Sequence, residues 1–188
     1  MTTAQDQDVV ELLLDQHDQI RSLFSQVSTA QGTTKRELFE ELVRLLAVHE
    51  SAEEEVVHPT ARRKMDSGDQ VIDSRLHEEN EAKHALAELY DMGVDHPQFD
   101  SKFAELSNAV NQHAMHEETE EFPYLRQNVP AEQLRRMAGA VRAAESMAPT
   151  RPHPRAGESM AANMIAGPPL AMFDRMRDAV RDWRQKSG

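Results

Sequence analysis

The stretch VHESAEEEVVHP, Val48 to Pro59, sets a histidine and a glutamate four residues apart, His49 and Glu53, in a segment with helical periodicity. Sixty-four residues on, the chain repeats the arrangement as QHAMHEETEEFP, Gln112 to Pro123, with His113, Glu117 and a proline ten residues after the histidine. Four residues of α-helix turn a side chain by about 400°, a net offset of ~40°, and climb ~6 Å. Each pair therefore shares one helix face. Neighbouring apolar residues say which face. Leu38, Leu42, Leu45, Leu46, His49 and Val56 form one stripe, and Phe99, Phe103, Leu106, Val110, His113 and Glu117 form another. Both pairs are expected to point into a core. A carboxylate buried without a partner costs several kcal/mol. One pair alone reads equally well as a core histidine bonded to a carboxylate, but two in the same frame call for a cation. Imidazole with carboxylate suits iron, zinc or manganese better than calcium or magnesium.

Working outward, Val9, Val10, Leu13, Leu14, His17, Ile20, Phe24 and Val27 recur at helical spacing, and this first helix is expected to end near Gly32. Thr33 or Thr34 is the expected cap of the second helix. Ser67-Gly68-Asp69 breaks the chain before a third helix, which carries Val71, Ile72, Leu76, Leu86, Leu89 and Tyr90 and stops around Gly93 to Pro97. The fold class predicted is all-α, an up-down-up-down four-helix bundle over residues 1–127 with a shorter C-terminal helical extension. Residues 128–147 are expected to add a helix. The proline-rich APTRPHPRAGES lies in an expected linker, 148–169. LAMFDRMRDAVRDW, in segment 170–188, reads as an amphipathic helix that docks on its own bundle or on a second subunit, which leaves monomer and homodimer open.

The chain has 188 residues, a formal net charge of −12 and no cysteine. Such acidity argues against a nucleic-acid partner. The lack of cysteine excludes disulfides, thiolate metal sites and cysteine nucleophiles. MTTAQDQDVVE shows no basic start and no apolar run, and no stretch approaches the length of a membrane span, so a cytoplasmic protein without membrane contact is expected.

The remaining inward polar residues come from the first and third helices. His17 lies on the stripe of Leu13, Leu14, Ile20 and Phe24. Sliding that segment by 62 residues sets Leu14 on Leu76, Ile20 on Ala82, Arg21 on Lys83, Phe24 on Leu86 and His17 on Glu79. Glu79 is then the inward residue. His77 lies about 200° and His84 about 140° around the helix, so both read as solvated. A one-residue slip would bring in Glu78 instead.

His17, then His49 and Glu53, then a third-helix position, then His113 and Glu117 resemble the hemerythrin-like, or HHE cation-binding, family over roughly residues 8–127. The resemblance implies a four-helix bundle around two non-heme iron ions bridged by carboxylates and by an oxo or hydroxo group. It implies a small diatomic or peroxide ligand, with His17, His49, Glu53, Glu79, His113 and Glu117 as the metal ligands. Glutamate at 79 departs from the family's usual histidine. Extra anionic ligands favour the ferric ion. The expected role is therefore reaction with hydrogen peroxide, dioxygen or nitric oxide in oxidative or nitrosative stress, with catalase- or peroxidase-like activity left open. The alternative is a non-enzymatic iron or oxygen sensor.

Several flanking residues carry two readings. An ideal helix puts His58 opposite His49, although Pro59 can unwind the backbone and swing it in as a seventh ligand. Arg21 and Lys83 can hold an anion near the metals, or Lys83 can make a solvated contact to Glu79. Glu54, Glu55, Glu118, Glu120 and Glu121 read as a solvated acidic face.

The register itself yields a test. Glu79→Ala should lose or weaken one metal, whereas His77→Ala and His84→Ala should leave both bound. Glu79→His should restore binding and slow autoxidation of the ferrous form. Metal analysis of the four purified variants decides, and a loss confined to His77 or His84 would show that the third helix is misaligned.

Overall fold

Two prolines shape the helices that carry the repeated pairs. In this computed structural model, which describes residues 7–147 together with Phe173, Asp174, Arg175, Arg177, Asp178 and Arg181, helix α1 spans Val9–Thr29 and α2 spans Gly32–Ala52. From Glu53 to Val57 the second helix widens into a π-helical turn and resumes as α3, His58–Lys64. Helix α4 spans Gly68–Met92. Helix α5, Phe99–His116, widens in the same way over Glu117–Glu121 and resumes as α6, Phe122–Asn128. Helix α7, Ala131–Met147, comes last among the fully described elements. Each wide turn closes one residue before a proline, with the His58 N–H donating to the Glu53 carbonyl and the Phe122 N–H to the Glu117 carbonyl. Proline lacks an N–H and its ring collides with the carbonyl four residues back. Widening to a five-residue register removes that conflict without ending the helix.

The helix ends obey local chemistry. Asp8 and Glu11 form a capping box at the start of α1, with the Glu11 N–H donating to Asp8 at 2.9 Å and the Asp8 N–H to Glu11 at 3.2 Å. Helix α1 ends at Thr29, a little before the expected point. Neither Thr33 nor Thr34 caps α2. Gln31 holds that position without a side-chain bond, because Gly32, at φ 55°, has already turned the chain into the helix. Gly93 closes α4 at φ 77°, a left-handed conformation that glycine adopts without steric cost.

Helix α1 packs on α2 and on α5, α4 packs on α5, and α7 lies against α1 and α2. The core they enclose is polarised along its length. At one end Phe24, Phe39, Phe99 and Phe103 meet, with ring centroids 5.1 Å apart for Phe24–Phe103 and 5.2 Å for Phe39–Phe99. Toward the other end, around the π-helical turns, the buried residues become histidines and glutamates. Among the described residues there is no strand, and no helix is long and apolar enough to cross a membrane.

The expected 148–169 linker lies outside the described residues. The described part of the C-terminal segment is helical and rests on the bundle. Phe173 is buried, its ring faces the Lys83 ammonium at 5.2 Å, and the Ser51 hydroxyl donates to its carbonyl at 3.4 Å. Arg177 bonds Glu54 at 2.7 Å and Arg181 bonds Glu55 at 2.9 Å.

The packing makes stability outcomes specific. A Cβ on Gly68 would overlap the backbone carbonyl of Arg62, whereas one on Gly139 would meet nothing within 4 Å. Gly68→Ala should therefore destabilise by about 1–3 kcal/mol and Gly139→Ala should gain up to about 1 kcal/mol in thermal unfolding. Truncation at Ala148 should leave the bundle helical by circular dichroism and lose about 1.5–3 kcal/mol, the burial of one phenylalanine.

Candidate metal centre

The six residues expected to face the core all do so. His17, His49, Glu53, Glu79, His113 and Glu117 are each at most 5% exposed. His77 and His84 are exposed, and Glu78 stands half-buried outside His113. The donors fall into two adjacent groups. His17, His49, Glu53 and Glu117 offer ligand atoms all within 4.8 Å of one another, as do Glu53, Glu79, His113 and Glu117. Glu53 and Glu117, the second members of the repeated pairs, belong to both groups.

The inward spacings suit a shared ion better than hydrogen bonds. His17 Nε2 and His49 Nε2 face each other at 3.1 Å. His49 Nε2 lies 3.2 Å from Glu53 Oε2, His17 Nε2 3.3 Å from Glu117 Oε2, and His113 Nε2 3.3 Å from Glu117 Oε1. Two donors at right angles on one ion, each about 2.1 Å from it, stand about 3 Å apart. The two oxygens of Glu117 turn toward histidines of different groups. Both oxygens of Glu53, both of Glu117 and the Nε2 of His113 are buried with no hydrogen-bond partner. Orphaned polar atoms are rare in folded cores, and these five converge where two cations would supply their missing partners. The residues present therefore fit a dinuclear metal group.

Each inward histidine is held from behind. His17 Nδ1 lies 2.8 Å from Glu118, His49 Nδ1 2.8 Å from the Gln16 side-chain oxygen and His113 Nδ1 3.0 Å from Glu78. An N–H donated outward leaves the Nε2 lone pair for a metal and fixes the ring. The Gln16 amide in turn donates to Glu145 at 2.6 Å, which links α7 to the site. A sequence search for inward stripes passes over these outer partners because they stand on the flanks of the stripes.

Burial and mutual repulsion separate the carboxyl groups. Burial, reinforced by Glu117, pushes Glu53 well above the usual carboxylate range. Burial acts upward on Glu117 most strongly of all, but His113 and His17 together outweigh it and hold that group well below. Glu78 is likewise opposed by burial, yet its bond to His113 and the Arg75 guanidinium bring it down to about 2. Glu50 is pushed up to about 8 by burial and then by Glu79. Burial, with His17 beside it, keeps His49 well below the usual imidazole value and hence neutral.

Two expectations need correction, and the two readings of His58 are decided for the inward one. Glu121 is not on a solvated acidic face. It is fully buried, because the π-helical turn at 117–121 redirects the helix face, and its Oε1 lies 3.1 Å from His58 Nδ1. Glu54, Glu55 and Glu118 are only partly exposed, covered by Arg177, Arg181 and Arg21 respectively, and Glu120 alone of the five is exposed. Lys83 is not solvated. It is 7% exposed and bonds Glu54, with Glu79 at 3.5 Å. His58, which an ideal helix would turn away from His49, is instead buried with its Nε2 2.6 Å from Glu79 Oε1. One extra residue in the preceding turn rotates everything after it by about 100°. Arg21 and Lys83 are both paired with carboxylates, Arg21 at 2.6 Å from Glu118.

A cavity of about 10 Å³ reaches the first donor group, lined by His17, Arg21, His49, Glu50, Asn111 and His113 among others. It has room for one water-sized molecule. A larger groove of about 320 Å³ between α4 and α5 meets the site only at His113 and its partner Glu78.

The comparisons with known proteins point to one family. Residues 8–125 match the hemerythrin HHE cation binding domain. A protein of Schizosaccharomyces pombe named as an uncharacterized hemerythrin-like protein is 24% identical over 177 residues, covering 93% of this chain and 87% of its own length. A Nostoc protein named DNA nickase is 27% identical over 143 residues, and the matched region spans 76% of this chain but only 40% of that relative. The crystal structure of a hemerythrin HHE cation binding domain-containing protein from Mycobacterium kansasii superposes with a TM-score of 0.64 at 19% identity, covering 74% of this chain and 86% of that one, a likeness of fold. With buried histidine and carboxylate donors grouped as described and the family match spanning most of the bundle, the chain belongs to the hemerythrin HHE cation-binding family and has its all-α fold.

Proposed function

We propose that the chain binds two non-heme iron ions, with Glu53 and Glu117 common to both, and uses them in the cytoplasm to consume a small oxidant. Hydrogen peroxide is the first candidate, with dioxygen and nitric oxide as related ligands. The observation that carries this reading is the set of four Glu53 and Glu117 oxygens, fully buried and without hydrogen-bond partners. Iron bound there would supply one-electron redox exchange. The chain's own residues do the rest. Glu118, Gln16 and Glu78 fix three imidazoles in advance, so that little reorganisation accompanies a change of oxidation state. The anionic donors Glu53, Glu79 and Glu117 favour the ferric ion by plain electrostatics, which suits peroxide chemistry better than reversible oxygen carriage. The cavity of about 10 Å³ holds no more than one water-sized molecule, which excludes organic substrates and favours a small ligand that displaces water at the metals. Glu50 lines that cavity, so its buried carboxyl stands where it can pass a proton to or from an entering oxidant.

A second reading, an iron or oxygen sensor, is favoured by one observation. The C-terminal helix sits on the π-helical turn next to Glu53, through Arg177 on Glu54, and can report a change there. The nickase name of the Nostoc relative suggests a third, but a chain of net charge −12 meets nucleic-acid phosphates with repulsion.

Protein purified without added metal should contain two irons per chain and absorb in the near ultraviolet and visible. It should also turn over peroxide, and Glu50→Gln should keep both metals while losing at least about tenfold in turnover. One metal per chain at saturation would overturn the dinuclear reading. Two irons without turnover, together with protease protection of the C-terminal helix that depends on metal, would favour the sensor.

A further inference from the structure

The symmetry of the site leaves one residue unaccounted for. The repeat that sets His113 on His49 and Glu117 on Glu53 also sets Phe122 on His58, each just before its proline. Both residues come directly after a π-helical turn, and both are buried. Each meets the inward residue of the partnering long helix. Phe122 stacks on the His17 ring, centroids 5.6 Å apart and planes 18° from parallel. His58 meets Glu79, which occupies the position in α4 that His17 occupies in α1. One half of the centre thus has two imidazoles, His17 and His49, beside a phenylalanine. The other has His113 and the carboxylate Glu79, with an imidazole where the phenylalanine would be. Helix α4 turns no histidine inward, since His77 and His84 are exposed.

His58 also has the arrangement of the other three. Its Nδ1 lies 3.1 Å from the buried Glu121 Oε1, as those of His17, His49 and His113 face Glu118, Gln16 and Glu78. Its Nε2 faces inward, 2.6 Å from Glu79 Oε1. His58, Glu117 and Glu121 offer donors within 4.8 Å of one another, and Glu117 joins this group to that of Glu53, Glu79 and His113.

We infer that His58 is a metal ligand through Nε2, giving each half of the dinuclear centre two imidazoles, with Glu121 as the positioning residue that fixes its ring. His58 Nε2 and Glu79 Oε1 stand 2.6 Å apart, and an ion that took both donors would displace the proton between them to solvent. Glu79 and His58 then share the ion that His113 holds, and the missing inward histidine of α4 is supplied by the end of α2 as it re-forms into α3. This inference rests on the dinuclear reading above and adds a ligand to it.

Two experiments test the inference. In the first, metal content and affinity for Fe(II) are measured by anaerobic equilibrium dialysis on wild type, His58→Ala and Glu121→Gln. Wild type should reach two metals, His58→Ala one, and added imidazole should restore the second by entering the space left. Glu121→Gln should still reach two, with the weaker site down by about 10–100-fold, the usual cost of an outer partner. Wild type and His58→Ala both saturating at two with equal affinity would overturn the His58 assignment alone. A wild type that stops at one would overturn the dinuclear reading with it. The second experiment needs no variant and stands if His58→Ala does not fold. In wild type labelled with ¹⁵N-histidine and loaded with Zn(II), four buried imidazoles should show a metal-bound Nε2 and a protonated Nδ1. Three such rings, with His58 unchanged, would overturn the inference.

Discussion

The constraint on which the rest depends is the burial of two carboxyl groups, Glu53 and Glu117, whose four oxygens make no hydrogen bond and whose near neighbours are the Nε2 atoms of His17, His49 and His113 at 3.2–3.3 Å. Burying an ionised carboxylate unpaired costs several kcal/mol, which pushes Glu53 toward its neutral form and leaves Glu117 dependent on its histidines, so a cation bound between the two would be held strongly. The buried cations Arg75 and Lys83 are engaged by Glu78, Glu120 and Glu54, and Glu117 is offset by His113 and His17 while Glu53 has no such partner among the lysines and arginines of the described residues. The protein therefore builds one end of its core for ions and the other for itself. The Phe24, Phe39, Phe99 and Phe103 cluster holds the helices together at a distance from the charges, so the polar end can be arranged around its donors.

The two π-helical turns are the device that makes this arrangement possible. A regular helix presents only every third or fourth residue to a core. Widening the helix after Glu53 and after Glu117 rotates the next helical segment, so that His58 and Phe122 turn inward directly behind the first donors. The prolines at 59 and 123 impose the widening, and the chain uses the same backbone solution twice with different chemistry in each copy. The C-terminal helix then covers the outer side of the first turn, where Arg177 and Arg181 neutralise Glu54 and Glu55. In this way the polarity of the site's outer wall is balanced by a segment remote in sequence.

Much of this is legible in the sequence because helical periodicity is a local property. The apolar stripes give four long helices, and the spacing of His49 with Glu53 and His113 with Glu117 places both pairs on inward faces. The 62-residue slide that picks Glu79 over His77 and His84 needs only the assumption that α1 and α4 present equivalent faces. The structure places all three accordingly. Composition, with a net charge of −12 and no cysteine, narrows the chemistry before any geometry is known.

What the sequence could not decide lies where regular helix geometry fails or where partners are distant in the chain. His58 and Glu121 escape a periodicity argument because 100° per residue holds only until the π-helical turn, and the size of that turn is set by the packing around it. Glu118, Gln16 and Glu78, which orient the imidazoles, are ordinary flank residues until α1, α2, α4 and α5 meet. The burial of Lys83 depends on Phe173, some ninety residues away. Periodicity determined which residues enter the core. Only the tertiary structure decided which of them face one another, because that depends on how separate helices approach, and no local pattern encodes it.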